Sequence, residues 1–418
     1  MIKFYLLFFS SLIFWTCTHR FVSEKSYENL YKPKENDIKS SCFLFHLNDS
    51  ISLLYYQYSN KDFLYKKYDT SEYHYADVSL FYSISSQPDA KIVIDSSTIN
   101  LSHRLLNLQS MTVTGFLKLK IKSGTNGNVS IQINEKGSRK IHQAKLYFDK
   151  RTRFGQQNFL FTSSDSFPIF SGRFVKGDSV LFKNQRATGV RAKVNVYRKN
   201  LNLPPPPFSE KTPALPSEIA DSVFYLDAVQ GSLFKLKILS SGIYFIQIDT
   251  MMNEGCTLHG VDFDFPTVSS HEQMIACTRY VLSNDEYNRL NNAENKQDAI
   301  EEFWLKIGGN KDRTRELIRR YYARVRDANE LFSSYQDGWR TDRGMIYIIF
   351  GYPDKVYLTQ DKETWLYGKE NTPQELLFRF SRRENRFSTN DFILDRSSFY
   401  KDPWFMAVMN WREGRVSK

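Results

Sequence analysis

Apolar residues recur at every second position in short runs from about residue 41 to 270 of this 418-residue chain, and at every third or fourth position near its C-terminal end. Side chains alternate across a strand but gather on one helix face every 3.6 residues, so the change of period marks a change of secondary structure. The runs CFLFHL (42–47), ISLLYYQY (51–58), ADVSLFYSI (76–84), AKIVID (90–95), MTVTGFLKLKI (111–121) and NVSIQIN (128–134) are separated by polar or glycine-bearing turns. Short strands at that spacing predict a β-sandwich over 41–150. The same alphabet continues over 151–270, predicting a second sandwich. It is interrupted by NLPPPPFSEKTPALPSE (202–218), which cannot sit inside a sheet and is expected to cross its surface. Asp262 and Asp264 alternate like strand-edge residues, with no third ligand beside them.

In the C-terminal part, IACTRYVL (275–282) is expected as a last strand. Ser283 and Glu286 have capping-box spacing, and helices are expected over 285–292, 296–307 and 312–334. The third carries one apolar stripe, Leu317, Ile318, Tyr321, Tyr322, Val325, Ala328, Leu331 and Phe332, with Arg319, Arg320, Arg324, Arg326 and Asp327 off it. Glu316 with Arg320 and Arg326 with Glu330 are expected surface pairs. The expected architecture is therefore multidomain: a mainly β N-terminal region of two Ig-like β-sandwiches, then an α+β unit over 271–418.

The N-terminal run MIKFYLLFFSSLIFWTC ends at Cys17 and is too short to span a bilayer. It resembles a bacterial lipoprotein signal peptide (1–17), in which Cys17 receives the acyl groups. Residues 18–40, polar and lysine-rich, are expected as a tether. Of the remaining cysteines, Cys256 and Cys277 form the expected pair if any disulfide exists, and no spacing suggests a metal site. Net charge is +11, yet residues 101–200 hold 19 Lys and Arg against four acids, a local surplus of +15. Such a surplus offers a contact for anionic lipid; strand alternation around Lys118, Lys120 and Lys122 offers a solvated sheet face instead. An exported chain does not meet nucleic acid, so none is expected as partner.

Between the long helical pattern and an apolar run stands DGWRTDRG (337–344). Gly338 is expected to end the helix in the left-handed region, Trp339 to bury its indole, and Thr341 and Asp342 to accept backbone amides, with Arg343 and Arg326 near the carboxylate. MIYIIF (345–350) is expected as a buried strand and GYPDK (351–355), with Gly351, Pro353 and Asp354, as the turn reversing it. GWRTD, together with EEFWLKI (301–307), YYARVRDANELFSS (321–334), GWRTDRGMIYIIFGYPD (338–354) and ETWLY (363–367), resembles the GWxTD domain family of bacterial envelope proteins over about 275–418. The resemblance implies a lipid-anchored protein of the outer membrane facing the periplasm, and it brings no activity or cofactor. The expected role is a non-catalytic binding or scaffold component with an envelope protein as partner. Trp365, Tyr367, Trp404, Phe405 and Trp411 are the residue types that dominate interfaces, and the tail 402–414 is amphipathic enough to dock or to close its own unit. The alternative is an envelope-polymer hydrolase in which Asp342 and Asp354 act as paired carboxylates. No Ser-His-Asp order, HExxH, Walker loop or GxGxxG helix entry occurs.

Overall fold

The computed structural model describes residues 25–28, 30–32, 40–68, 70–86, 92–106, 111–135, 141–163, 167–198, 202–359 and 361–416. Cys17 and the signal-like run lie outside the described residues, as does most of 18–40. Among the described residues no helix is long and apolar enough to cross a membrane.

The first β unit contains strands β2 (Ser40–His46), β3 (Ile51–Ser59), β4 (Lys66–Lys67), β5 (His74–Ser86), β6 (Val93–Leu105), β7 (Thr112–Lys120), β8 (Asn126–Glu135) and β9 (Ile141–Asp149), following β1 (Lys25–Glu28). β2, β3 and β7 form one antiparallel sheet. In the other, β5 is flanked by β6 and β8, β8 pairs β9, and β4 joins the start of β5. The expected alternation is clear on β5, where Ala76, Val78, Leu80, Tyr82 and Ile84 are buried and the residues between face outward. They meet Leu54, Leu119, Val129, Ile131, Ile133 and Phe148 in one core shared by both sheets. Lys118, Lys120 and Lys122 are exposed while Leu119 and Ile121 are buried.

The second unit holds β10 (Leu160–Thr162), β11 (Arg173–Val175), β12 (Ser179–Lys183), β13 (Ala192–Tyr197), β14 (Ser222–Leu226), β15 (Leu233–Lys237), β16 (Gly242–Gln247) and β17 (Cys256–Val261). Sheets β10-β12-β15 and β11-β17-β16-β13-β14 enclose an aromatic core in which Phe182 and Phe234 stack at 5.1 Å. The proline-rich stretch joins β13 to β14, antiparallel neighbours in one sheet, so it is a long loop within this unit and not a linker between units. It also touches the C-terminal unit: Leu203 and Phe208 pack on that unit's core. Asp262 and Asp264 lie beyond β17 rather than on a strand. Asp262 accepts hydrogen bonds from Ser241 and Gln273, and Asp264 accepts Ser269 N–H at 2.6 Å, so both fix the turn leading into the helices.

The C-terminal unit comprises α1 (His271–Thr278), α2 (Asn284–Asn291), α3 (Lys296–Gly308), α4 (Lys311–Phe332), α5 (Asp342–Phe350), β18 (Lys355–Leu358), β19 (Lys362–Tyr367), β20 (Leu376–Arg382), β21 (Phe392–Leu394) and α6 (Lys401–Arg412). α2, α3 and α4 lie within a few residues of their expected positions, and Ser283 and Glu286 form the full capping box. Two expected strands are helical instead. Residues 275–282 form the end of α1 and a following 3-10 turn, since Ser270 caps the helix. Residues 345–350 belong to α5, whose apolar run is buried nearly all round; burial on every side gives the same unbroken pattern in a helix as in a central strand.

The expected tether is corrected as well. β1 is the edge strand of the sheet β1-β18-β19-β20-β21, paired antiparallel from Lys25 opposite Leu358 to Glu28 opposite Lys355. Tyr31 then packs on the C-terminal core. Cys256 and Cys277 are both free, buried in different cores, so the expected disulfide does not form. Burial pushes both thiols well up from their ordinary range.

Candidate functional site

The motif of residues 338–342 is a junction clamped between α4 and α5. Gly338 sits in a 3-10 turn, Gly338–Arg340, rather than in a left-handed cap. Its requirement is closeness: a Cβ there would stand 1.8 Å from the Ala328 carbonyl oxygen, on the backbone of α4. Gly344 repeats this one turn on, where a Cβ would lie 1.9 Å from the Gly338 oxygen. Trp339 is buried, its backbone N–H donating to Asn329 Oδ1 (3.2 Å) and its carbonyl accepting from Tyr280 (2.7 Å). The Arg340 guanidinium covers the indole at 4.0 Å.

Thr341 starts α5. Its Oγ1 accepts Gly344 N–H (3.0 Å) and donates to the Gly338 oxygen (2.7 Å), satisfying an otherwise orphaned helix amide. Asp342 follows at 2% exposure. Its carboxylate accepts Leu394 N–H (2.8 Å) and both terminal nitrogens of Arg396, at 3.0 and 2.5 Å. Burial pushes this carboxyl above the usual carboxylate range, against the pull of Arg396 and the Leu394 amide. The expected partners Arg343 and Arg326 do not touch it. Arg326 pairs with its neighbour Asp327 on the surface, which also replaces the expected pair with Glu330.

Arg343 turns the other way and forms a second buried ion pair, with Glu363 at 2.9 Å. Glu363 also accepts Trp365 Nε1 (2.6 Å) and the Tyr31 hydroxyl (2.5 Å), while Arg343 donates to the Asn390 carbonyl (2.9 Å) and lies over the Phe392 ring. Two adjacent motif residues thus tie α5 to β21 and to β19. Beyond α5, Gly351 at φ +82 and Pro353 make the turn into β18, and Asp354 accepts Gly368 N–H at 2.8 Å. Asp342 opens the nine-residue α5, which is about 12 Å long from first residue to last, and Asp354 lies four residues beyond its other end; each carboxylate has its own partners and the two do not form an acid pair.

Sequence reasoning missed Arg396, Glu363, Arg324 and Tyr31. Arg324 was expected on the solvated face of α4; it is buried, caps the Ile348 and Ile349 carbonyls that end α5 (2.8 and 3.2 Å), and covers Trp411 at 4.9 Å. Burial pushes its guanidinium down to about 10. Glu363 carried the one available signal, an acid at the head of the run ETWLY. Trp365, Tyr367, Trp404 and Trp411 are core residues rather than an exposed interface; Phe405 is exposed. The tail forms α6, and Trp404 and Trp411 close it onto its own unit, Trp411 donating to the Ile349 carbonyl at 3.0 Å.

A second polar cluster lies in the first β unit. Ser52 Oγ stands 2.9 Å from His46 Nδ1 and 3.3 Å from Lys150 Nζ. The residue types are those of a hydroxyl nucleophile with bases, but Ser52 is wholly buried, so no substrate reaches it. Among the described residues no group of three or more His, Cys, Asp or Glu is placed to hold a metal ion.

The family model of the GWxTD domain matches residues 242–413. This chain carries a GWxTD domain. The match starts at Gly242 in β16, so the GWxTD region includes the last two strands of the second β unit as well as the α+β body. A continuous aromatic seam joins the two, with Tyr197, Ile243 and Phe245 against Tyr335 and Phe387. No curated protein matches the chain. Among solved structures, it is similar to red sea bream transglutaminase, with 7% identity, a TM-score of 0.19, and coverage of 55% of this chain and 32% of that one. It is also similar to the BSP domain of a biofilm-associated protein, with 12% identity, a TM-score of 0.17, and coverage of 56% and 53%. The matches thus span about a third and about half of those chains, and superpositions this poor bear on neither the fold nor the activity of this chain.

Proposed function

We propose that this protein is a lipid-anchored, non-catalytic scaffold or binding component of the bacterial cell envelope, held by acyl groups on Cys17 at the periplasmic face of the outer membrane and engaging an envelope protein. The observation that carries the non-catalytic reading is the enclosure of Asp342: its carboxylate is fully occupied by Arg396 and the Leu394 amide. A general acid or base has to reach a substrate proton, and this one faces its own backbone. One apolar surface available to a partner lies on the outer face of α6 and the turn before it, where Phe399, Phe405, Met406 and Met409 are exposed. The anchoring reading is supported by the position of Cys17 at the end of an apolar run.

Cross-linking of tagged protein in its native membrane, followed by identification of what co-purifies, tests the scaffold reading. A specific envelope protein recovered by wild type and lost on Phe405→Glu with Met409→Glu is the expected outcome. Polymer-degrading activity that disappears in a folded Asp342→Asn variant would establish the hydrolase instead.

A further inference from the structure

The N-terminal segment is built into the unit furthest from it in sequence. β1 adds four residue pairs to the exposed edge of β18. Three residues later, Tyr31 inserts its ring between Phe332 and Trp365, at 5.1 and 5.4 Å, and donates its hydroxyl to the buried Glu363. The Tyr347 hydroxyl donates to the Tyr31 carbonyl at 3.2 Å. A strand laid on a sheet edge, with one side chain anchored in a pocket, is a docking arrangement in which main-chain bonds supply affinity and the pocket supplies register. The pocket here ends on the ion pair of Arg343 within the GWxTD core.

Direction matters. Lys25 pairs with Leu358, so the chain enters β1 at the end of β18 that leads into the turn toward Lys362. Eight residue steps separate Cys17 from Lys25, a reach of at most about 28 Å when fully extended. An undocked tether would allow the first β unit, beginning at Ser40, to stand about 80 Å from Cys17 with the GWxTD domain beyond it.

We propose that residues 25–32 are a docking segment that clips the GWxTD domain onto its own membrane anchor, so that the β18–β19 end of this domain, rather than the first β-sandwich, is held against the lipid surface. This rests on the anchoring reading of Cys17. It makes the exposed face of α6 part of a membrane-held unit. It also opposes the other lipid contact the sequence suggests, through Lys118, Lys120 and Lys122 on β7.

The test uses the full-length acylated chain in vesicles of phosphatidylethanolamine and phosphatidylglycerol carrying an acceptor-labelled lipid. A single donor fluorophore is placed through Lys362→Cys, Lys369→Cys or Thr114→Cys in a Cys42→Ser background, all three label positions being exposed. Lys362 and Lys369 bracket β19, roughly 20 Å apart along the strand. Energy transfer to the lipid is expected to be strongest at 362, weaker at 369 and weakest at 114. That order should be lost in Ser26→Pro/Tyr27→Pro with Tyr31→Ala, because alternate residues of an edge strand donate to its neighbour and one of the two prolines must remove such a donor. If that variant fails to fold, Ser26→Cys/Tyr357→Cys supplies the second measurement: these residues are register partners, and failure to form their cross-link in membranes overturns the docking. Absence of fatty-acid label from wild type, or its persistence in Cys17→Ala, defeats the anchoring reading alone. Normal labelling with strongest transfer at 114, or equal transfer at all three positions, defeats the docking proposal while leaving the anchor intact.

Discussion

The first β-sandwich and the GWxTD domain solve the problem of a stable interior in opposite ways. In the sandwich, every second residue of β5 points into an apolar core, and any side chain of similar size and polarity would serve there. In the GWxTD domain, the core around α5 encloses two ion pairs, Asp342 with Arg396 and Arg343 with Glu363, each with side chains at most 5% exposed. A buried ion pair adds little net stability over a well-packed apolar pair, but loss of one partner leaves a charge stranded. The sandwich therefore depends on a pattern, whereas the GWxTD junction depends on individual residues. Five adjacent positions, 338–342, are constrained by backbone closeness, indole burial, helix capping and charge pairing.

The largest effect should come from stranding a charge. Asp342→Ala leaves Arg396 buried without its carboxylate and should cost about 3–5 kcal/mol, read as loss of the GWxTD transition in thermal or denaturant unfolding. Adding Arg396→Met should restore part of that loss; a double variant as unstable as the single one would mean the pair is not the source of the constraint. Next comes an apolar truncation in the sandwich. Leu80→Ala, at a wholly buried position, should cost about 2–5 kcal/mol in the first β unit and leave the GWxTD transition in place. Simultaneous loss of both transitions would remove the contrast.

A smaller effect is set by pH. Burial, reinforced by the cation of Lys150, pushes the His46 imidazole down to about 4, with Asp149 pulling the other way. The folded state holds this ring neutral, so its contribution is complete above the ordinary histidine value of about 6.5 and is lost as pH falls from there toward 4, at most roughly 3–4 kcal/mol. The sandwich transition should fall across that window in wild type and lose much of the slope in His46→Gln. Smallest is the solvated face of α4. Arg319→Ala removes exposed pairing with Glu316 and should shift stability by less than about 0.5 kcal/mol.

Much of the fold was legible in local pattern, and the exceptions share one cause. Most strands of the sandwich, though not β9 or the greater part of β6, and the helices α2, α3 and α4 follow from period and capping, because both are carried by residues adjacent in sequence. α5 was misread because complete burial erases the difference between a helix and a central strand. Arg324 looked like one more cation on a charged helix face, and only its position under the end of α5 explains its burial. The motif could be recognised from its letters, but the arginine that pairs with its Asp342 carboxylate lies 54 residues away and the glutamate that pairs with Arg343 lies 20 residues away.

What the chain determined alone is most of the strands and of the helices α2 to α4, their approximate limits and the presence of a GWxTD signature, since periodicity, caps and turn residues act over a few positions. What only tertiary structure decided is pairing at a distance: which arginine neutralises Asp342, that Cys256 and Cys277 stay apart, and that residues 25–28 close the edge of a sheet some 330 residues downstream. Such contacts depend on loop closure and on complementarity between surfaces that exist only after folding, so no local window of sequence contains them.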